Sequence, residues 1–170
     1  MYNFLMEQFF TQNSEVILRL MMAMVLGTII GAERLFVHKE AGMKTHALVS
    51  LGAALFVVFS EAMTEKYMGV PGFNPGIISA QIIVGIGFLG AGSIMLRGSH
   101  LRGLTTASGL WVTAGIGMAA GFGLFSLAVI ATGLVLSIFI AMSIIEKPIR
   151  KIRENSGDNF KNLDEEELEN

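Results

Sequence analysis

The sequence predicts an all-α fold: an integral membrane bundle of five transmembrane helices, with the N-terminus outside and the C-terminus cytoplasmic. Three observations carry this prediction. Hydrophobic residues make up 52% of the 170-residue chain and charged residues 15%, against ~25% charged in average soluble usage. The charges cluster, and the runs between them approach or exceed the ~20 mostly apolar residues that cross a bilayer. When the helices alternate in direction, the basic residues collect on one side, as short cytoplasmic loops require.

The elements follow in order. Glu15 and Arg19 open the first apolar stretch and Glu33-Arg34 close it, so helix 1 is expected over 16–32. Lys44 and Glu61 bound helix 2, over 45–60. Lys66 and Arg97 bound a third run, in which Pro71 and Pro75 come early; helix 3 should therefore start near Gly76 and end near Met95. Nothing ionises at neutral pH between Gly103 and Ile145. That run is too long for one span and must fold back, and Gly121-Phe122-Gly123 is the predicted turn. Helix 4 is then expected over 105–120 and helix 5 over 124–145, with Pro148 at the exit.

The basic residues test this count. The expected inside segments, 33–46, 97–103 and 146–170, hold Arg34, Lys39, Lys44, Arg97, Arg102, Lys147, Arg150, Lys151, Arg153 and Lys161, leaving Arg19 and Lys66 elsewhere. A soluble helical bundle would show a polar face on each helix, and helices 3 to 5 show none. The expected organisation is a transmembrane domain over 1–145 and a cytoplasmic segment over 146–170. The basic start of that segment would meet anionic lipid headgroups, and its acidic end is too polar to build a core. Residues 1–10 lack the basic n-region and small-residue cleavage site of a signal peptide.

Several functions are excluded by residue type. The absence of cysteine removes disulfides, Cys-type zinc sites and a thiol nucleophile. There is no HExxH, GxSxG or Walker loop, and His38, His46 and His100 map to the cytoplasmic boundary. No enzyme, cofactor or metal site is expected. Gly85-Ile86-Gly87-Phe88-Leu89-Gly90 spells GxGxxG, but inside an apolar span and without the acidic residue ~20 positions on, so neither a nucleotide nor a nucleic-acid partner is expected. Helices 3 to 5 carry no ionisable interior residue of the kind that marks proton or cation pathways. Glu61 and Glu65 are one turn apart, which reads as a solvated helix end or a loose cation pair.

The glycines read as packing. Small residues let membrane helices approach closely, and Gly27 with Gly31, Gly117 with Gly121, and the cluster Gly85, Gly87, Gly90 and Gly92 fit that role. Helices 1, 3 and 4 are expected to be buried in the bundle or in a homodimer, with Gln81 as a buried polar residue and helix 5 facing lipid.

Polar chemistry concentrates at two cytoplasmic corners. One runs from Glu33 and Arg34 through Gly42, Lys44, Thr45 and His46; the other runs from Arg97 and His100 through Arg102, Gly103, Thr105 and Thr106. Thr45 and Thr105 or Thr106 are expected helix N-caps. Helix N-termini flanked by basic residues attract anions, so the corners read either as an anion site or as ordinary capping with basic residues inside. Gly31/Gly92, Gly42/Gly103 and Thr45/Thr106 share one spacing of 61 residues, which suggests that helices 1–2 and 3–4 are parallel repeats.

Taken together, these motifs resemble a known family. Gly27-Thr28-Ile29-Ile30-Gly31-Ala32-Glu33-Arg34, followed by Ala41-Gly42-Met43-Lys44-Thr45-His46-Ala47-Leu48-Val49, resembles the first signature of MgtC/SapB membrane proteins. Residues 80–92, from the Ala-Gln pair at Gln81 to Gly92, resemble the central signature, and Arg102-Gly103-Leu104-Thr105-Thr106-Ala107 with Trp111 resembles the third. The resemblance implies a bacterial inner-membrane protein of about five spans, associated with magnesium scarcity, acid tolerance and survival inside host cells. It implies partners among membrane proteins, the F-type ATP synthase included, with direct magnesium transport not the favoured role. It covers the transmembrane domain alone, without the soluble C-terminal domain many members carry. Many members also hold an acidic residue and an arginine just before the Ala-Gln pair, where this chain has the uncharged stretch 73–77.

The expected function is non-enzymatic binding or regulation of other membrane proteins. Glu33, Arg34, Gly42, Lys44, Thr45, His46, Arg97, Arg102, Gly103, Thr105 and Thr106 would form the working face. Gly27, Gly31, Gln81, Gly85, Gly87, Gly90, Gly92 and Trp111 would set the packing beneath it. The alternative is a small transporter or channel for an ion or anionic solute, with its pathway between the two helical repeats.

Overall fold

A computed structural model describes residues 2–71, 74, 76–97 and 100–145, the side chains of 2–12, 97 and 100 excepted. The expectations for the basic exit and acidic tail at 146–170 lie outside the described residues. The described residues form five helices and one small hairpin: α1 (Tyr2–Phe36), α2 (Met43–Tyr67), α3 (Gly76–Gly92), β1 (Met95–Arg97), β2 (His100–Arg102), α4 (Leu104–Gly121) and α5 (Phe125–Ile145). It divides into two compact units, Met1–Leu134 and Val135–Asn170. The first holds the bundle; the described part of the second is the C-terminal half of α5.

Among the described residues, three stretches are long and apolar enough to cross a membrane: Asn13–Phe36, Met43–Tyr67 and Phe125–Ile145. α3 is a shorter apolar helix, and α4 is diluted by threonine, serine and glycine. Polarity is inverted relative to a soluble protein. Leu48, Val84 and Phe88 are among many large apolar side chains that face outward, while Arg34, His46, Ser50 and Thr113 are buried. In lipid the outer face must be apolar, and polar side chains are driven to protein partners inside.

α2 lies between α1 and α4, and α3 rests mainly on α4. The buried positions of α2, His46, Ser50, Ala53, Ala54, Val57 and Ser60, recur every three or four residues, as one helix face does. Most of them are small. Lipid tails are as apolar as a leucine, so burial against another helix gains little hydrophobic free energy. Close van der Waals contact between small residues holds such helices together instead.

The predicted turn between α4 and α5 forms, and Gly123 is its left-handed residue, at φ 73°. The Leu124 N–H donates to the Ala119 carbonyl at 2.8 Å and the Gly123 N–H to Ala120 at 3.0 Å, a Schellman closure that satisfies the last carbonyls of α4.

Two expectations are corrected. Helix 3 ends at Gly92 rather than Met95. The Ser93 N–H and hydroxyl both donate to the Gly90 carbonyl, at 3.0 and 2.7 Å, and the Ile94 N–H donates to Ala91 at 3.1 Å. These tight bonds end the helix. An antiparallel hairpin follows in the register Met95↔Arg102, Leu96↔Leu101, Arg97↔His100. Its first strand continues the apolar run of α3, so hydrophobicity offered no boundary. The threonine caps are also wrong. Gly42 and Gly103 occupy the N-cap positions of α2 and α4, without a side-chain cap. Gly103, at φ 90°, must be glycine: a Cβ there would collide with the Ser93 carbonyl oxygen.

Arg19, a basic residue outside the expected inside segments, is neutralised where it sits. It bonds Glu61 on α2 at 2.5 Å, Glu15 at 2.6 Å and the Gly121 carbonyl at 3.0 Å. One guanidinium thus ties α1 and α2 to the C-terminal end of α4, where the helix dipole favours a cation. Glu61 is therefore committed to Arg19. Arg19→Met, which keeps the apolar stem, should destabilise the bundle by about 1–2 kcal/mol, less than a fully buried pair because Glu61 is 40% exposed. Thermal unfolding in detergent would measure it; a midpoint unchanged from wild type, as expected for Glu65→Gln, would refute the tie.

Candidate functional site

The heart of the bundle is built on four glycines. A Cβ at Gly27 would sit 2.6 Å from the His46 carbonyl oxygen, and one at Gly31 2.6 Å from the Met43 Cα. A Cβ at Gly117 would meet the Ser50 backbone, and one at Gly121 would lie 2.9 Å from the Ala54 Cα. α1 and α4 therefore touch the main chain of α2 from two sides. At this crossing three polar side chains, His46, Ser50 and Thr113, are each 0% exposed.

The hydrogen bonds assign the imidazole. Thr113 Oγ1 lies 2.8 Å from the Gly109 carbonyl and 2.9 Å from His46 Nδ1. The carbonyl can only accept, so the threonine hydroxyl donates to it and accepts from Nδ1–H. The Ala41 backbone approaches the ring, but neither Nε2 nor Ser50 Oγ has a partner of hydrogen-bond geometry among the described residues. Arg34, 2% exposed, pairs through Nε with Glu33, and both act electrostatically on His46. The first corner is thus partly an interior feature: Arg34 and His46 are buried, and Glu33 pairs with Arg34.

The other expected site residues separate. Lys44 and Thr45 are exposed and line an open groove of about 790 Å³ between α2 and α3, together with Gln81 and Gly85. Gln81 is therefore not the buried polar residue expected of it. The glycine cluster of α3 is corrected as well: a Cβ at Gly85, Gly87 or Gly92 would meet nothing within 4 Å, and Gly90 alone of the four contacts α4, at Ala107. Trp111, expected in the packing, is 55% exposed. It lines a shallow seam between α3 and α4 with Gly87, Gly90, Ala91 and Ser108. Arg102 and Thr105 are exposed and Thr106 is buried. The side chains of Arg97 and His100 lie outside the described residues.

The internal echo is half realised. Gly42 and Gly103 occupy equivalent N-cap positions, and Thr45 and Thr106 follow three residues on. Thr45 is exposed where Thr106 is buried, and Gly31 packs where Gly92 does not. Neither Ser50 nor Thr113 was among the expected site residues. The signal for Ser50 is its position one turn after His46, on the face that Gly27 and Gly117 approach. Among the described residues, no three His, Asp or Glu side chains gather as a metal would need.

An apolar exterior, three helices of membrane-crossing length and a polar, glycine-sealed interior define an α-helical membrane protein. The chain belongs to the MgtC family, whose model matches residues 20–148. It is 49% identical over 120 residues to Protein MgtC of Salmonella typhimurium strain LT2, covering 71% of this chain and 49% of the relative. Over 132 residues it is 42% identical to Protein MgtC of Brucella abortus, covering 78% and 51%. Over 134 residues it is 40% identical to the Escherichia coli K12 protein named “Putative magnesium transporter YhiD”, covering 74% and 61%. The chain spans about half the length of the MgtC relatives it matches. No solved structure matches it.

Proposed function

We propose that this chain is a non-enzymatic protein of the bacterial inner membrane that binds and regulates other membrane proteins in magnesium homeostasis and stress adaptation. In this reading all five helices cross, with the N-terminus outside and the C-terminus cytoplasmic. The observation that carries it is the contrast in packing. Where α1, α2 and α4 meet, glycines seal the interior by backbone contact. The α3–α4 seam, with Gly87, Ala91, Ser108 and Trp111, is left open toward the surrounding membrane. Small residues on an open face suit close approach by another membrane helix. The F-type ATP synthase is the partner class expected from the family resemblance.

Because the chain contains no cysteine, single cysteines can test this directly. From positions 87 and 108, crosslinking in native membranes should capture a membrane protein, and Arg102→Ala should weaken capture. Labelling of cysteines at positions 39 and 66 should report opposite sides. Reconstituted protein should pass no more magnesium, proton or phosphate than empty vesicles. A product at twice the chain's mass would assign the seam to a homodimer instead. The second reading, a transporter, is favoured by the buried His46, Ser50 and Thr113 cluster and by the name of the Escherichia coli relative. Flux that Thr113→Val abolishes would establish it and overturn the first.

A further inference from the structure

The groove between α2 and α3 offers about 790 Å³, and its two ends differ in chemistry. Its walls are apolar, with Leu48, Phe56 and Ile82 among them, and no acidic side chain lines it. Gly52 and Gly85 open it, since a Cβ on either would meet nothing within 4 Å. One end carries Lys44, the one basic residue of the lining among the described residues, with Thr45 beside it. That end is also the start of α2, where Gly42 supplies no side-chain cap and the first-turn N–H groups still need acceptors.

We propose that this groove is an intramembrane site for an anionic phospholipid. Its acyl chains lie along α2 and α3, and its phosphate meets Lys44 and the first turn of α2. Chemistry fits a lipid: the walls from Leu48 to Phe59 on α2 are apolar, and Lys44 and Thr45 stand at one end. Charge fits too: a phosphate at a helix N-terminus beside a lysine gains from both dipole and ion pairing. A phosphocholine headgroup carries a compensating cation and gains less.

Native mass spectrometry of the full chain released from nanodiscs of phosphatidylglycerol or phosphatidylcholine tests the site. The wild-type protein should retain phosphatidylglycerol about fivefold more than phosphatidylcholine, the preference one basic residue confers beside anionic lipid. Lys44→Gln should remove the preference while leaving retention of phosphatidylcholine unchanged. Gly52→Leu and Gly85→Leu fill open space and should each reduce retention of both lipids. Gly115→Leu, which also faces open space but on α4, should retain lipid as wild type does. Equal retention of both lipids by the wild type, with no loss in the groove-filling variants, would overturn the proposal. So would a cysteine at position 52 that crosslinks in native membranes to a protein helix or to a second copy.

Discussion

Gly117→Ala is expected to destabilise the bundle by about 1–3 kcal/mol, the cost of overpacking a close contact. Gly115→Ala, two residues earlier on the same helix, should stabilise it by about 0.5–1 kcal/mol, because alanine loses less backbone entropy in a helix. The two positions differ in what the added methyl group meets. At Gly117 it runs into the Ser50 main chain, with the Ser50 Cα and carbonyl carbon both 2.8 Å away and the carbonyl oxygen closer still. Backbone cannot rotate aside as a side chain can, so α4 would have to move off α2 and disturb the His46–Thr113 bond. At Gly115 the methyl group enters open space. Unfolding midpoints in detergent would separate the pair; equal shifts for both variants would mean that α4 does not touch α2 through Gly117.

The second large effect concerns the bond at the centre of that crossing. Thr113→Val keeps the shape of the side chain but removes the acceptor of His46 Nδ1–H. A buried donor left without a partner costs about 1–3 kcal/mol. In His46→Leu the Thr113 hydroxyl keeps its bond to the Gly109 carbonyl, so that loss comes mainly from repacking the ring's site. With both changed, no donor is stranded, and the double variant should lose less than the sum of the two single losses. Contacting residues commonly show coupling of about 0.5–3 kcal/mol. Denaturant unfolding of the four proteins closes the cycle, and strictly additive losses would show that the 2.9 Å contact carries no coupling. The same variants, placed in vesicles, bear on the transport reading, because stability and flux need not change together.

Site residues are harder to place from sequence than helices, and the first corner shows why. Glu33, Arg34, Lys44 and His46 lie within fourteen positions of one another and were expected to share one face. The start of α2 divides them. Lys44 turns to the open groove, and His46, two residues on, turns fully inside. Successive helical residues point in different directions, so a cluster in sequence need not be a cluster in space. Gln81 shows the converse. A lone amide in an apolar run was expected to seek the interior, yet it lines the groove, because α3 rests on α4 through the side that carries Gly90.

What the sequence determined by itself is the set of helices, the turn at Gly123, the membrane class and the family resemblance. These follow from local facts: the spacing of charges, the length of apolar runs, and a glycine where the chain must turn left-handed. Tertiary structure alone decided which glycines pack, where α3 gives way to a hairpin, and which polar residues point inward. In a soluble protein the apolar stripe of each helix would have announced its buried face. Here the outside of every helix is as apolar as the inside, so periodicity carries no such information. Gly85 and Gly117 look alike in sequence; one faces open space and the other touches the backbone of α2. The difference lies in the path of the neighbouring helix, which is set by the packing of the whole bundle.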